Sequence, residues 1–238
     1  RIFEPANKVA GKRYPVVVGV YGGPGAQRVT NSWSSKDLYF QYLAQNGFIV
    51  FQLDNRGSEN RGKAFEDPIY KKLAVVEIED QITGVEYLRS LSYVDPTKIG
   101  IYGNSYGGYM TIMAMLKAGD YFAAGVSGAP VTDWRLYDTH YTERYLGHPN
   151  DNAEGYEQSS VFPFVDGLKG KLLIYHGMAD DNVLFTHSTK VFGALQSQGK
   201  LFEVMTYPGS KHAMFGQPVQ THLHNTITEF FERTLKAE

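Results

Sequence analysis

Short apolar runs alternate along the chain with longer segments in which apolar residues recur every three or four positions. The runs are typical of strands covered on both faces of a parallel sheet, and the longer segments are typical of amphipathic helices. Six strands are predicted, at Tyr14–Tyr21, Phe48–Leu53, Lys98–Tyr102, Ala124–Gly128, Lys171–His176 and Phe202–Tyr207. Five helices are predicted, at Asp37–Asn46, Val76–Leu91, Tyr106–Ala118, Thr186–Gln198 and Pro218–Leu235. This alternation predicts an α/β fold with a mostly parallel, doubly wound sheet and helices on both faces.

The stretch from Val131 to Leu168 breaks this alternation. It is rich in aromatic residues between Trp134 and Tyr145 and continues into a polar loop at Asn150–Ser160. We interpret this stretch as an insertion or a lid. By composition alone, its aromatic residues are as well suited to the core of the insertion as to a binding surface.

The length and composition of the chain argue against several classes of function. A chain of 238 residues with 42% hydrophobic and 20% charged side chains fits a single globular domain. Its formal charge of −2 gives no sign of a nucleic-acid or membrane-surface partner, and its apolar runs are too short for a membrane span. The absence of Cys excludes a thiolate nucleophile and a disulfide. No metal or other cofactor is predicted, since no histidines stand at zinc-ligand spacing.

Residues 103–107 read Gly-Asn-Ser-Tyr-Gly and fit the Gly-x-Ser-x-Gly pattern of a nucleophile elbow. In such an elbow a sharp turn between a strand and a helix exposes a serine hydroxyl above the sheet. The pattern alone is weak, but a predicted strand precedes it and an apolar helix follows it, as an elbow requires. Ser105 is therefore the candidate nucleophile.

A serine nucleophile needs an imidazole base and a carboxylate that orients it, and in this architecture they follow in the order Ser, Asp, His. His212 follows the last predicted strand, where the base is expected. Asp180 and Asp181 both follow the preceding strand. Spacing does not separate the two aspartates, and either one is also suited to capping the helix that begins near Thr186.

Four blocks of sequence resemble the prolyl oligopeptidase family, and within it the dipeptidyl peptidase IV branch. They are residues 20–24 (Val-Tyr-Gly-Gly-Pro), 103–109 (Gly-Asn-Ser-Tyr-Gly-Gly-Tyr), 141–147 (Tyr-Thr-Glu-Arg-Tyr-Leu-Gly) and 176–183 (His-Gly-Met-Ala-Asp-Asp-Asn-Val). The resemblance implies an α/β-hydrolase fold with Ser105 as nucleophile, Asp180 as the orienting acid and His212 as the base. It also implies an oxyanion hole formed by the Tyr21 hydroxyl and the Tyr106 backbone N–H.

The same resemblance implies a small apolar pocket for proline beside the scissile bond, and an amide that helps hold a substrate carbonyl. The implied pocket residues are Val131, Trp134, Tyr141, Tyr145 and Val183, and the implied amide is that of Asn182. The expected activity is release of dipeptides from the N-termini of peptides with Pro or Ala in second position. Asn104 departs from the Trp frequent among close relatives, which leaves the finer specificity open.

Family members place a β-propeller ahead of the hydrolase domain, so residues 1–238 are expected to be one α/β-hydrolase domain, truncated at its N-terminus and without the propeller. The resemblance further suggests a homodimer and a periplasmic or cell-surface location. Two alternatives stay open from the sequence. One is an acylaminoacyl peptidase or carboxylesterase on the same fold, and the other is a non-catalytic interaction module.

Overall fold

The computed structural model describes residues 1–34 and 37–236. Within those residues seven strands form one sheet, in the order β1-β3-β2-β4-β5-β6-β7. Strand β1 pairs antiparallel with β3, and all other neighbours pair in parallel. The strands are β1 (Ile2–Phe3), β2 (Tyr14–Gly19), β3 (Ile49–Phe51), β4 (Val94–Asn104), β5 (Ala124–Gly128), β6 (Lys171–Gly177) and β7 (Glu203–Tyr207).

The α-helices lie between and after the strands. They are α1 (Leu38–Gln45), α2 (Lys63–Glu66), α3 (Val76–Arg89), α4 (Tyr106–Lys117), α5 (Thr139–Leu146), α6 (Ala153–Gln158), α7 (Thr186–Ser197) and α8 (Gln217–Phe231). A π-helical turn at Glu232–Lys236 extends α8. Short 3₁₀ helices occupy Asp67–Ile69, Trp134–Leu136 and Phe162–Gly167.

Alternate residues of each strand pack on opposite faces of the sheet, as the two-residue period of a strand requires. In β2, Val16 and Val18 join the core beneath α3, α4 and α7, whereas Val17 joins the core beneath α1 and α8. All three valines are buried, because helices cover both faces. The arrangement is the doubly wound α/β sheet that the sequence pattern predicts.

The predicted elements agree with the structure in kind and differ mainly at their ends. Ala124–Gly128 has the predicted bounds, but β4 begins at Val94 rather than at Lys98. The pairing of β4 with β2 is irregular between Tyr14 and Val16. The first residues of β4, which include Pro96, therefore belong to the strand although they do not form an apolar run. The prediction of six strands is wrong by one, because β1 adds a short antiparallel edge. The stretch from Val131 to Leu168 contains the two short helices α5 and α6.

The sheet topology brings three loops to one place. Strands β4, β5, β6 and β7 are consecutive neighbours, all parallel. Their carboxyl ends therefore lie at the same edge, which is where open α/β sheets hold their functional groups. The loops that follow β4, β6 and β7 contain Ser105, Asp180 and His212.

Candidate active site

Ser105 forms the turn between β4 and α4. Its backbone has φ 61° and ψ −121°, a left-handed conformation that is strained for a residue with a side chain. The turn is held at both ends: the Ser105 N–H donates to the carbonyl of Gly128 (2.8 Å), and the Ser105 carbonyl accepts from the N–H of Tyr109 (3.0 Å). A strained serine at such a turn is the geometry of a nucleophile elbow.

The glycines around Ser105 are required by close backbone approach. A Cβ on Gly103 would lie 2.4 Å from the carbonyl oxygen of Gly107. A Cβ on Gly108 would lie 2.3 Å from the carbonyl oxygen of Gly128, on the neighbouring strand. No real Cβ contact is that short, so any larger residue at either position would push α4 away from the sheet. The glycines of the pattern thus allow the helix to begin directly behind the serine.

His212 lies between Ser105 and Asp180. The Ser105 hydroxyl is 2.9 Å from Nε2 of His212, and Nδ1 of His212 is 2.7 Å from Oδ2 of Asp180. The Asp180 side chain is fully buried, whereas that of His212 keeps 21% exposure. With Nδ1–H donating to the carboxylate, Nε2 has a free lone pair for the serine proton. This arrangement allows the hydroxyl to become a nucleophile.

The two aspartates that spacing could not separate have different surroundings. Oδ1 of Asp180 accepts from the backbone N–H groups of Asn182 (2.9 Å) and Val183 (3.0 Å). Asp181 is exposed and bonds to the ammonium of Lys211, which lowers the pKa of Asp181. Neither aspartate caps α7, which begins after Phe185 without a side-chain cap. Of the two, only Asp180 is within hydrogen-bond distance of His212.

The two residues expected to form an oxyanion hole lie on either side of the elbow. Tyr21 lies two residues beyond the end of β2, and together with Ser105 it lines a cavity of about 380 Å³. Burial raises the pKa of the Tyr21 hydroxyl, so it stays protonated and able to donate. Tyr106 is the first residue of α4, and its backbone N–H therefore has no partner within the helix. The Tyr21 and Tyr106 ring centroids are 6.0 Å apart.

The Tyr106 side chain points away from the reacting groups, toward a buried acid that the sequence analysis did not single out. Its hydroxyl donates to Oε1 of Glu77 (2.9 Å), which also accepts from the N–H of Ala74 (2.9 Å). The Glu77 side chain is fully buried, and burial raises its pKa. This contact ties the first turn of α4 to the start of α3. No local signal in the sequence marks it, because 29 positions separate the two residues.

The expected proline-pocket residues form a continuous aromatic group beside the elbow. Trp134 packs on Tyr106 (5.5 Å between ring centroids) and stacks on Tyr141 (5.9 Å), and Tyr141 contacts Tyr145 (4.8 Å). Val131, Trp134 and Val183 are buried and belong to the same core cluster, whereas Tyr141 and Tyr145 are partly buried at its margin. The group is thus partly core, the alternative that composition left open.

Asn182 has a partner that the sequence analysis missed. The Tyr137 hydroxyl donates to Oδ1 of Asn182 (2.7 Å). Because this bond engages the amide oxygen, the amide nitrogen of Asn182 is the group available to donate to a further acceptor. Tyr137 also contacts Trp134 edge to face (5.9 Å). Its place in the aromatic stretch between Trp134 and Tyr145 is the signal that could have identified it.

Two cavities border the candidate triad. The cavity of about 380 Å³ lies on the Tyr21 side and includes Arg28, whose guanidinium sits 4.7 Å from the centroid of the Tyr21 ring. A second cavity of about 790 Å³ lies on the His212 side. Asn104 borders both cavities, and its Oδ1 accepts from the Tyr175 hydroxyl (3.1 Å). Neither cavity is lined by the expected proline-pocket residues.

Two features are absent from residues 1–34 and 37–236. No helix there combines the length and apolar character needed to span a membrane. The same residues contain no group of three or more His, Asp or Glu side chains arranged to hold a metal ion.

Comparisons with known proteins agree with this fold. The model of the prolyl oligopeptidase family, Peptidase S9, matches residues 33–238. The chain belongs to the prolyl oligopeptidase family. It is 38% identical to dipeptidyl peptidase 8 of Mus musculus, an alignment that covers 96% of this chain and 27% of that protein. It is 37% identical to venom dipeptidyl peptidase 4 of Vespula vulgaris, covering 97% of this chain and 30% of that protein.

A solved structure gives the same relationship in three dimensions. Porphyromonas gingivalis dipeptidyl peptidase 4 superposes with a TM-score of 0.95 at 37% sequence identity, over 98% of this chain and 33% of that chain. The predicted membership of the family and the predicted α/β-hydrolase fold are therefore confirmed. The chain spans about a third or less of the length of these relatives.

Proposed function

We propose that this chain is the catalytic α/β-hydrolase domain of a serine peptidase that releases dipeptides from peptide N-termini. The observation that supports this most directly is the hydrogen-bonded series from Ser105 through His212 to Asp180 at a strained elbow. The relatives named as dipeptidyl peptidases support the reaction class. In this proposal residues 1–238 form one domain of the functional protein, and homodimerisation stays a prediction.

The proposed reaction is acyl transfer in two steps. The Ser105 hydroxyl attacks the carbonyl carbon of the scissile bond while Nε2 of His212 takes the hydroxyl proton. The negative oxygen of the tetrahedral intermediate accepts from the Tyr21 hydroxyl and the Tyr106 N–H. His212 then gives its proton to the leaving amine, and the C–N bond breaks. Water, activated by His212 in the same way, attacks the acyl-enzyme and releases the dipeptide.

The carboxylate of Asp180 has two tasks in this scheme. It keeps Nδ1 of His212 protonated, so that Nε2 is free to accept, and it stabilises the imidazolium that forms in each tetrahedral step. A buried carboxylate suits both tasks, because low local polarity strengthens its interaction with the charged ring. The two backbone N–H groups that donate to Oδ1 hold the carboxylate in place.

We propose that peptides with Pro or Ala in second position are the substrates. Val131, Trp134, Tyr141, Tyr145 and Val183 would wall the site for that side chain, and the free amide nitrogen of Asn182 would donate to a substrate carbonyl. The aromatic contacts between Tyr106 and Trp134 support this proposal, because they connect the wall to the elbow. The compact, apolar ring of proline can pack against the faces of aromatic side chains.

The proposed activity is tested with paired chromogenic substrates on the complete protein. Ala-Pro-p-nitroanilide, with a free N-terminus, is expected to be hydrolysed faster than its N-acetylated form or an aryl ester. Preference for the acetylated peptide would instead indicate an acylaminoacyl peptidase, and preference for the ester would indicate a carboxylesterase. No hydrolysis of any of them, with no fluorophosphonate labelling, would favour a non-catalytic interaction module.

Tyr21→Phe is expected to lower kcat by about 100- to 1000-fold, since loss of one oxyanion donor typically costs roughly 2.7–4 kcal/mol of transition-state stabilisation. The ring and its packing on Tyr106 are kept, so KM is expected to change little. The measurement is kcat on Ala-Pro-p-nitroanilide. Tyr87→Phe, on the exposed side of α3, is the matched control. A Tyr21→Phe enzyme with unchanged kcat would remove the hydroxyl from the mechanism.

A further inference from the structure

A second histidine lies against Asp180. His176 stands near the end of β6, is 1% exposed and lies four residues before the aspartate. Its Nε2 is 2.8 Å from the carbonyl oxygen of Val183 and 3.1 Å from Oδ2 of Asp180, and its Nδ1 is 2.7 Å from the Ser188 hydroxyl. Both ring nitrogens of this buried side chain therefore have partners, and one of those partners is the same carboxylate oxygen that faces His212.

The partners of His176 determine where its proton sits. A carbonyl oxygen only accepts hydrogen bonds, so the contact between Nε2 and Val183 requires a proton on Nε2. That N–H is shared with Oδ2 of Asp180, which is also an acceptor. Nδ1 is then left with a lone pair that accepts from the Ser188 hydroxyl. Burial lowers the pKa of His176, which favours this neutral tautomer.

The carboxylate of Asp180 is consequently surrounded by four donors. Oδ1 accepts from two backbone N–H groups, those of Asn182 and Val183. Oδ2 accepts from Nδ1–H of His212 at 2.7 Å and from Nε2–H of His176 at 3.1 Å. The backbone donors fix one oxygen of the carboxylate. His176, itself anchored on β6 and by α7, restrains the oxygen that must meet His212.

We propose that His176 is a positioning residue, whose Nε2–H holds Oδ2 of Asp180 in line with His212. The role rests on the proposed function, since it acts on the Asp180–His212 pair. Displacement of a catalytic group by about 1 Å can cost 100-fold in rate. A restraint on Oδ2 therefore has an effect on turnover even though His176 touches neither substrate nor Ser105.

A neutral donor suits this position better than a charged one. His212 becomes an imidazolium in each tetrahedral step, and a second positive ring on the same oxygen would oppose that charge. Burial lowers the pKa of His176 and outweighs the Asp180 carboxylate, which by itself favours the charged ring, while His212 opposes that charge. Asp180 and His212 face His176 from the loops after β6 and β7. His187 faces it from α7, and burial lowers the pKa of His187 to about 4. Asp133 lies beyond His187.

Two substitutions separate the donor from the bulk of the side chain. His176→Leu removes the N–H, and His176→Gln keeps an amide N–H close to the position of Nε2. We expect His176→Leu to lower kcat on Ala-Pro-p-nitroanilide about 10- to 100-fold with KM within about twofold, and His176→Gln to recover most of the lost kcat. If loss of packing alone caused the effect, His176→Gln would not recover the kcat that His176→Leu loses.

His187→Leu is the matched control. His187 is also 1% exposed, and its Nδ1 accepts from the N–H of Thr132 (3.0 Å), with no contact to Asp180. This control is expected to lower the thermal unfolding temperature while leaving kcat close to that of the parent. If His176→Leu turns over as fast as the parent, or if His176→Gln is as slow as His176→Leu, the positioning role is wrong while the proposed function stands. A parent protein that fluorophosphonate does not label would overturn the proposed function and the positioning role together.

The tautomer of His176 can be measured in the parent protein, so this test does not require any variant to fold. Histidine ¹⁵N NMR of the parent protein is expected to show His176 as the neutral, Nε2-protonated ring from about pH 5 to 9. A ring protonated at Nδ1 alone has no proton for Asp180, and a ring that becomes charged in this range contradicts the neutral donor. Either result would overturn the proposal.

Discussion

Ser105→Ala is expected to abolish labelling by a fluorophosphonate and to lower kcat on Ala-Pro-p-nitroanilide by about 10⁶-fold, the typical effect of removing the nucleophile of a serine peptidase triad. The physical reason is that in the proposed mechanism the hydroxyl, 2.9 Å from Nε2 of His212, forms the covalent bond. Alanine keeps the Cβ of the strained elbow and removes only the oxygen. The fold is therefore expected to persist, as checked by circular dichroism and thermal unfolding.

The control for this variant is Ser90→Ala. Ser90 lies at the end of α3, where its hydroxyl donates to the carbonyl of Tyr87 in an exposed position. This variant should label and turn over like the parent. Covalent labelling that survives in Ser105→Ala would place the reactive nucleophile at another residue. An unlabelled parent that binds peptides without cleaving them would favour the interaction module instead.

Much of the fold could be predicted because local and global signals agree. Runs such as Val16, Val17 and Val18 are apolar on both faces, and only a sheet covered by helices on both sides buries them completely. The two residues of β1 carry no such signal, since a short antiparallel edge needs only its pairing with β3. Helix α5 was not predicted because it has only 8 residues, although Tyr141 and Tyr145 stand four positions apart and Asp138 caps it.

The part of the candidate site that depends on the order of residues along the chain could be predicted. Ser105, Asp180 and His212 each follow a strand, so parallel pairing alone brings their loops to one edge of the sheet. Contacts between side chains that are far apart in the sequence produce no such local pattern. The bond between Tyr106 and Glu77 links residues 29 positions apart, and that between Tyr137 and Asn182 links residues 45 apart. His176 lies in one of the four blocks that resemble the family, but no local pattern indicates its partners, which are a carboxylate, a carbonyl and a hydroxyl.

Asp180→Asn is expected to lower kcat by about 10⁴-fold, the effect typical of replacing the orienting acid of a triad with its amide. The amide that replaces Oδ2 presents N–H groups where His212 needs an acceptor. His212 is then driven to the tautomer with its proton on Nε2, where it can no longer accept the proton of Ser105. The shape of the side chain is conserved, but the buried Nε2–H of His176 also loses its acceptor on this oxygen. The loss of kcat is therefore expected together with a lower thermal unfolding temperature.

Asp181→Asn is the matched control, one residue along the same loop. Asp181 is exposed and its partner is the Lys211 ammonium. Exposed ion pairs contribute little to stability, so this variant is expected to turn over within about twofold of the parent. The two variants change the same chemical group at adjacent positions and differ only in what that group contacts. Equal losses in both would mean that the loop as a whole, and not the carboxylate on His212, governs turnover. A loss confined to Asp181→Asn would reverse the assignment of the acid.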